Sequence, residues 1–153
     1  MRPLRALSAT AAVLGLGPLL GASGCDETHQ VCTLIGCNNA LVVALAPAAD
    51  GLSAGRYAVT AASADAFRQC AFTAAAGGAV SDVSEDCRGL SPTGDGTFTV
   101  TLEPVRGEVR VTVERDGSAV GGVSVRPAYE PQYPNGVDCG AACEVARTVV
   151  PVD

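Results

Sequence analysis

The eight residues GTFTVTLE, 96 to 103, alternate without a break. Phe98, Val100 and Leu102 fall on one side, and Thr97, Thr99, Thr101 and Glu103 on the other. Successive side chains of an extended chain point to opposite faces, so this stretch reads as a strand with one buried face. The pattern recurs in EVRVTVE, 108 to 114, with Val109, Val111 and Val113 set against Arg110, Thr112 and Glu114. It recurs again in ALVVALAP, 40 to 47, through Leu41, Val43 and Leu45, and in RYAVTA, 56 to 61, through Tyr57, Val59 and Ala61. EVARTVVPV, 144 to 152, is the expected closing strand, with pairing ended by Pro151, which has no N–H to give.

Residues 115 to 118 are RDGS, whose Asp116 and Gly117 can both take positive φ in a type I′ hairpin turn. Direct pairing across that turn sets Val113 opposite Val120 but throws Val123 and Val125 onto the wrong face. One extra residue at Gly121 or Gly122 restores the phase, so a β-bulge is expected there. In the region 62 to 92, FRQCAFTA reads as a strand with Cys70 and Phe72 inward, and AAAGGAVSDVSEDC as a loop with a short strand near Val80. ASADAFRQCAF is the nearest helical candidate, but it lacks a convincing capped stripe, and the strand reading is preferred. About seven short strands separated by turn signals predict an all-β chain, an antiparallel immunoglobulin-like sandwich over 37–153.

Seven cysteines, Cys25, Cys32, Cys37, Cys70, Cys87, Cys139 and Cys143, bear on where such a chain lives. Its start has the three parts of an export signal: Arg2 and Arg5, an apolar run from Ala6 to Leu20, and the small residues Ala22, Ser23 and Gly24. The run is broken by Gly15, Gly17 and Pro18, and is shorter than the roughly 20 apolar residues that a membrane-spanning helix needs. Residues 1–24 are therefore expected to be a signal peptide. ASGC after an apolar run resembles the lipobox of bacterial lipoprotein precursors, with Ala22 where that family usually has Leu. The resemblance implies cleavage before a diacylated Cys25, with 25–36 as a tether. Plain cleavage after ASG, leaving Cys25 unpaired, is the alternative.

Setting Cys25 aside leaves an even six. In an oxidising compartment these are expected to be disulfides, because CxxxxC at 32 to 37 and CxxxC at 139 to 143 miss the CxxC spacing of zinc sites. Cys70 and Cys87 read as natural partners. If the first and last strands run parallel side by side, Cys37 and Cys143 each sit just before a strand at the same end. A long-range staple from the 32/37 pair to the 139/143 pair is then expected. The remaining connectivity stays open.

Charge narrows the partners. The full chain carries a net −6, and losing Arg2 and Arg5 with the signal takes this to −8, with no lysine anywhere. An acidic surface repels phosphate backbones, so no nucleic-acid partner is expected. The only histidine is His29, outside the predicted sandwich, so the domain has no histidine base for a nucleophilic site. Asp82, Glu85 and Asp86 in SDVSED are candidates for a carboxylate-dependent hydrolase or a weak calcium site, although the D-x-D-x-D-G pattern of an EF-hand loop is missing. A solvated loop is the simpler reading. In YEPQYPNGVDCGAAC, Tyr129, Tyr133 and Asn135 form a candidate contact loop fastened by Cys139 and Cys143. The competing reading packs Tyr129 over the sandwich edge.

Taken together, the C…GC pair ahead of the first strand, GRYAVT, VTVERDG and the ending Y…YPNG…C…C resemble small cysteine-rich predicted lipoproteins of GC-rich Gram-negative bacteria. The resemblance covers most of residues 32 to 150. It implies a β fold and an envelope address, anchored to the membrane through an N-terminal lipid. Its motifs are turn and disulfide features and imply neither a catalytic residue nor a cofactor. The expected role is therefore a non-enzymatic structural or interaction module, meeting an envelope partner through its loops.

Overall fold

Each alternating stretch forms a strand. The computed structural model describes residues 36–48, 51–76, 78–93, 96–140 and 142–153. The chain divides into two units, Met1–Gln30 and Val31–Asp153, and the fold described is that of the second. The expected signal peptide 1–24, Cys25, His29 and Cys32 lie outside the described residues. The described residues form ten strands: β1 (Ala40–Pro47), β2 (Gly55–Ala62), β3 (Phe67–Ala74), β4 (Val80–Ser81), β5 (Gly89–Pro92), β6 (Phe98–Leu102), β7 (Val109–Arg115), β8 (Ser118–Val125), β9 (Glu130–Gln132) and β10 (Cys143–Val152). There is no helix among the described residues, and so none long and apolar enough to cross a membrane. ASADAFRQCAF contributes to β3, as the strand reading expected.

Two five-stranded sheets result, in the orders β5-β6-β1-β10-β9 and β4-β3-β2-β7-β8. All neighbours pair antiparallel except β1 and β10, which run parallel from Ala40↔Val145 to Pro47↔Val152. Of the seven strands with five residues or more, the first, fourth and seventh share one sheet. The second, third, fifth and sixth share the other. The constant-type immunoglobulin arrangement instead groups its first, second, fourth and fifth strands.

The inward rows meet between the sheets. Leu41, Val43 and Leu45 of β1, Phe98, Val100 and Leu102 of β6, and Ala146, Val150 and Val152 of β10 come from one sheet. Tyr57, Val59 and Ala61 of β2, Cys70, Phe72 and Ala74 of β3, and Val109, Val111 and Val113 of β7 come from the other. Tyr57 and Phe72 are cross-strand partners whose rings stack with centroids 5.3 Å apart. No polar or charged residue is buried among the described residues. The Tyr57 hydroxyl escapes the apolar layer by donating to the Ser53 carbonyl at 3.0 Å.

Two local expectations are corrected. The hairpin turn is as predicted, with φ of 53° at Asp116 and 79° at Gly117, but the bulge falls one residue early. Val113 pairs with Gly121 and Glu114 with Ala119, so Val120 is the extra residue. The cause lies in β10. A Cβ on Gly121 would stand 2.3 Å from the Pro151 carbonyl oxygen, so only glycine fits that inward slot. Looping out Val120 places Gly121 there. Pro151, expected to end pairing, does not: β10 stays in register with β1 through Val152. Groups of successive strand residues point to opposite sides. Val152 accepts from the Ala48 N–H at 3.1 Å, whereas Pro151 and Asp153 face β8, where the Asp153 N–H donates to the Val120 carbonyl at 3.0 Å. The N–H that proline lacks falls on the side away from β1, so the ladder loses nothing there.

Candidate functional site

The loop after β4 is built as a strap. Asp82 turns the chain with φ 50° and accepts from the Ser81 hydroxyl at 3.0 Å. Ser84 then acts as a one-residue strand against the free edge of β3. Its N–H donates to the Ala71 carbonyl at 2.8 Å, and the Ala71 N–H donates to its Oγ at 3.0 Å. Cys87 follows, bonded to Cys70 with the Cα atoms 4.7 Å apart. An edge of unpaired backbone invites pairing with other chains, and this strap covers it.

Glu85 and Asp86 leave the strap to line an open groove of about 520 Å³ with Phe67, Arg68, Gln69, Arg88 and Glu103. Asp82 is not part of it, so the three carboxylates of SDVSED are split. At its foot, Arg88 hydrogen-bonds Glu103, and the Nε of Arg68 lies 3.0 Å from the other carboxylate oxygen. That second contact is a charge pair without hydrogen-bond alignment, because Arg68 Nε has no directed partner. The hydrogen bond from Arg88 first, then the charges of Arg88 and Arg68, hold the Glu103 carboxyl below its ordinary value. Glu103 is therefore an ionised acceptor, the wrong state for a general acid. Among the described residues, no three His, Cys, Asp or Glu side chains converge on a metal-sized site.

The candidate contact loop is divided too. Tyr129 is half-buried against the core, and its hydroxyl both accepts from the Val105 N–H at 2.9 Å and donates to the Val105 carbonyl at 3.0 Å. The guanidinium carbon of Arg106 sits 4.8 Å from its ring centroid, and Arg106 also pairs with Glu144. Burial pushes the Tyr129 phenol up, while the Val105 backbone and Arg106 pull it down. Tyr129 is thus a clamp on the segment after β6, in line with packing over the edge. Tyr133 is 43 % exposed, and Asn135 sits inside the turn that the Gly136 N–H closes on the Tyr133 carbonyl at 3.0 Å, with φ of 93° at Gly136.

Cys37 and Cys143 are bonded across the start of the β1–β10 pair, with the Cα atoms 5.6 Å apart. The Asn39 side chain adds a second fastening there, its Oδ1 accepting from the Glu144 N–H at 2.8 Å. Cys139 is disulfide-bonded as well. Disulfides of this kind belong to an oxidising, extracytoplasmic setting.

The groups that sequence reasoning missed are Phe67, Arg68, Arg88 and Glu103 around the groove, and Val105, Arg106 and Glu144 around Tyr129. Arg88 and Glu103 are fifteen residues apart and meet only because β5 pairs with β6 through Gly89↔Thr101. β5 has no alternation to announce it. No protein-family model, no curated protein and no solved structure matches the chain.

Proposed function

We propose that the chain is a lipid-anchored protein of the cell envelope whose sandwich is a non-enzymatic structural or interaction module. The single observation that supports this best is the state of the cysteines: all five in the described residues are disulfide-bonded. Four are joined among themselves. In this reading Cys32 completes the Cys139 bond, and Cys25, directly after the apolar run, is the cysteine left for acylation. Acyl chains contribute about 0.8 kcal/mol per buried methylene, so two or three chains hold a head of this size at a bilayer surface. The head then meets an envelope partner through surface features such as Tyr133 and the open groove. In the broad sense of two face-packed sheets of short hairpin strands, we describe that head as an immunoglobulin-like sandwich with its own strand distribution.

The test is the intact mass of the protein purified from the membrane fraction of its native host, before and after reduction. The expected species starts at Cys25, carries acyl mass, and gains six hydrogens on reduction. A soluble species without acyl mass sinks the anchoring and leaves a secreted factor. For the calcium reading, the measurement is the melting temperature with millimolar calcium added. An unchanged midpoint removes it.

A further inference from the structure

Cys37 lies three residues ahead of β1, and Cys143 is the first residue of β10. These two strands run parallel from the same end, and β1 is central in its sheet, between β6 and β10. The Cys37–Cys143 bond therefore closes a covalent loop spanning 106 positions, and that loop contains β1 through β9. We propose that this bond is a mechanical bypass: tension that enters ahead of Cys37 and leaves beyond Cys143 crosses directly to β10, and the enclosed strands carry none of it.

The geometry favours this over a merely stabilising crosslink. A pull that entered at Gly36 without the bond would act first on the Ala40 end of β1. Because β1 and β10 run parallel, a pull on the Ala40 end of β1 against the Val152 end of β10 would load their ladder in shear, and once that ladder yielded the strands behind β1 would be drawn out in turn. With the bond in place, that end of β1 cannot leave β10 at all. The Asn39 to Glu144 hydrogen bond lies immediately behind it, and the Ala48 to Val152 hydrogen bond fastens the far end. In the proposed pairing of Cys32 with Cys139, a second bond four residues before Cys143 makes the same crossing. The device works only while oxidised. A dithiol, itself converted to a disulfide, gives each protein disulfide two electrons and two protons and reopens the path through β1.

This inference rests on the tether of the proposed function, but its test does not use the lipid. The full chain is stretched as a single molecule between folded reference domains fused to its two ends, first oxidised and then with dithiothreitol. The oxidised chain is expected to withhold the 106-residue span, and reduction to add roughly 350 to 380 Å of contour length. An oxidised wild-type chain that releases this length overturns the proposal.

Two variants attribute the effect. With Cys37, Cys139 and Cys143 all changed to Ala, the oxidised chain is expected to release the span, less the 17 positions still held by Cys70–Cys87. With Cys70→Ala and Cys87→Ala, it is expected to keep the 106-residue span closed. The reverse of either result overturns the bypass. The readout is a length, so a variant whose folded state is weakened still reports. A head that is not lipidated fails the mass experiment and leaves these lengths unchanged.

Discussion

The two sides of the sandwich are closed by opposite means. On the β3 side a loop is laid along the sheet edge and riveted, with the Cys70–Cys87 bond at one point and Ser84 bonded twice to Ala71 beside it. On the β8 side, among the described residues, no cysteine lies in the strand, and the closure is made by close approach. The end of β10 comes so near β8 that one position can carry no side chain, and the Asp153 N–H reaches the carbonyl of the bulged Val120. The Arg115 guanidinium adds a hydrogen bond to the Asp153 carbonyl at 3.2 Å. The first closure works by adding atoms and tolerates an irregular loop. The second works by removing them and tolerates almost no change.

Substitutions on the two sides are therefore expected to fail differently. Replacing Cys70 and Cys87 by Ala frees a loop closed over 17 positions and is expected to lower the unfolding free energy by about 3 kcal/mol, measured by denaturant titration. Gly121→Ala, which drives a Cβ to 2.3 Å from the Pro151 oxygen, is expected to cost about 1–3 kcal/mol in the same assay. Gly122→Ala is the control that sharpens the point: its nearest backbone atom is the Val111 oxygen at 3.2 Å, and it should cost clearly less than its neighbour. Equal costs at 121 and 122 would break the close-approach account. Ser84→Ala leaves the Ala71 N–H without its acceptor, with an expected loss of about 1 kcal/mol and faster hydrogen exchange at that amide.

The smallest expected effect belongs to Glu103, at the foot of the strapped side. Its carboxyl is held below the ordinary 4.5, so its contribution is complete above that value and disappears as pH falls through the lower folded-state value. The stability gap between the wild type and Glu103→Gln is therefore expected to be flat at neutral pH and to close only in acid, below about 4.5. A gap that closed near neutrality would contradict the arginine grip.

What could be read in advance follows the same division. The long strands were legible because burying one face demands alternation, as in Phe98, Val100 and Leu102. Cys70 and Cys87 were legible as partners because they are close in sequence and flank a loop. β5 and β9 were not, because GLSP and EPQ are short and carry proline, and their pairing depends on strands elsewhere. The need for a bulge followed from the misplaced Val123 and Val125. Its position at Val120 did not, since that depends on a carbonyl thirty residues away in β10. Likewise the spacing of SDVSED shows three acids but not that only Glu85 and Asp86 reach the groove, nor that Arg68 and Arg88 share it with them. Tyr129 could be placed near the edge, but its clamp on Val105 spans 24 positions and leaves no mark in local sequence.

The central position of β1 also sets a timetable. Its two neighbours in the sheet, β6 and β10, come from the second half of the chain, and Ala40 meets its parallel partner Val145 only after more than a hundred further residues have appeared. Chains are made from the N-terminus, and contacts this distant in sequence form slowly. ALVVALAP, the most apolar strand of the fold and the first to emerge, is thus the one that waits longest for a place. Until β6 emerges it has no partner strand, and until β10 follows one of its edges stays open, so whatever escorts the newborn chain has that segment to shield.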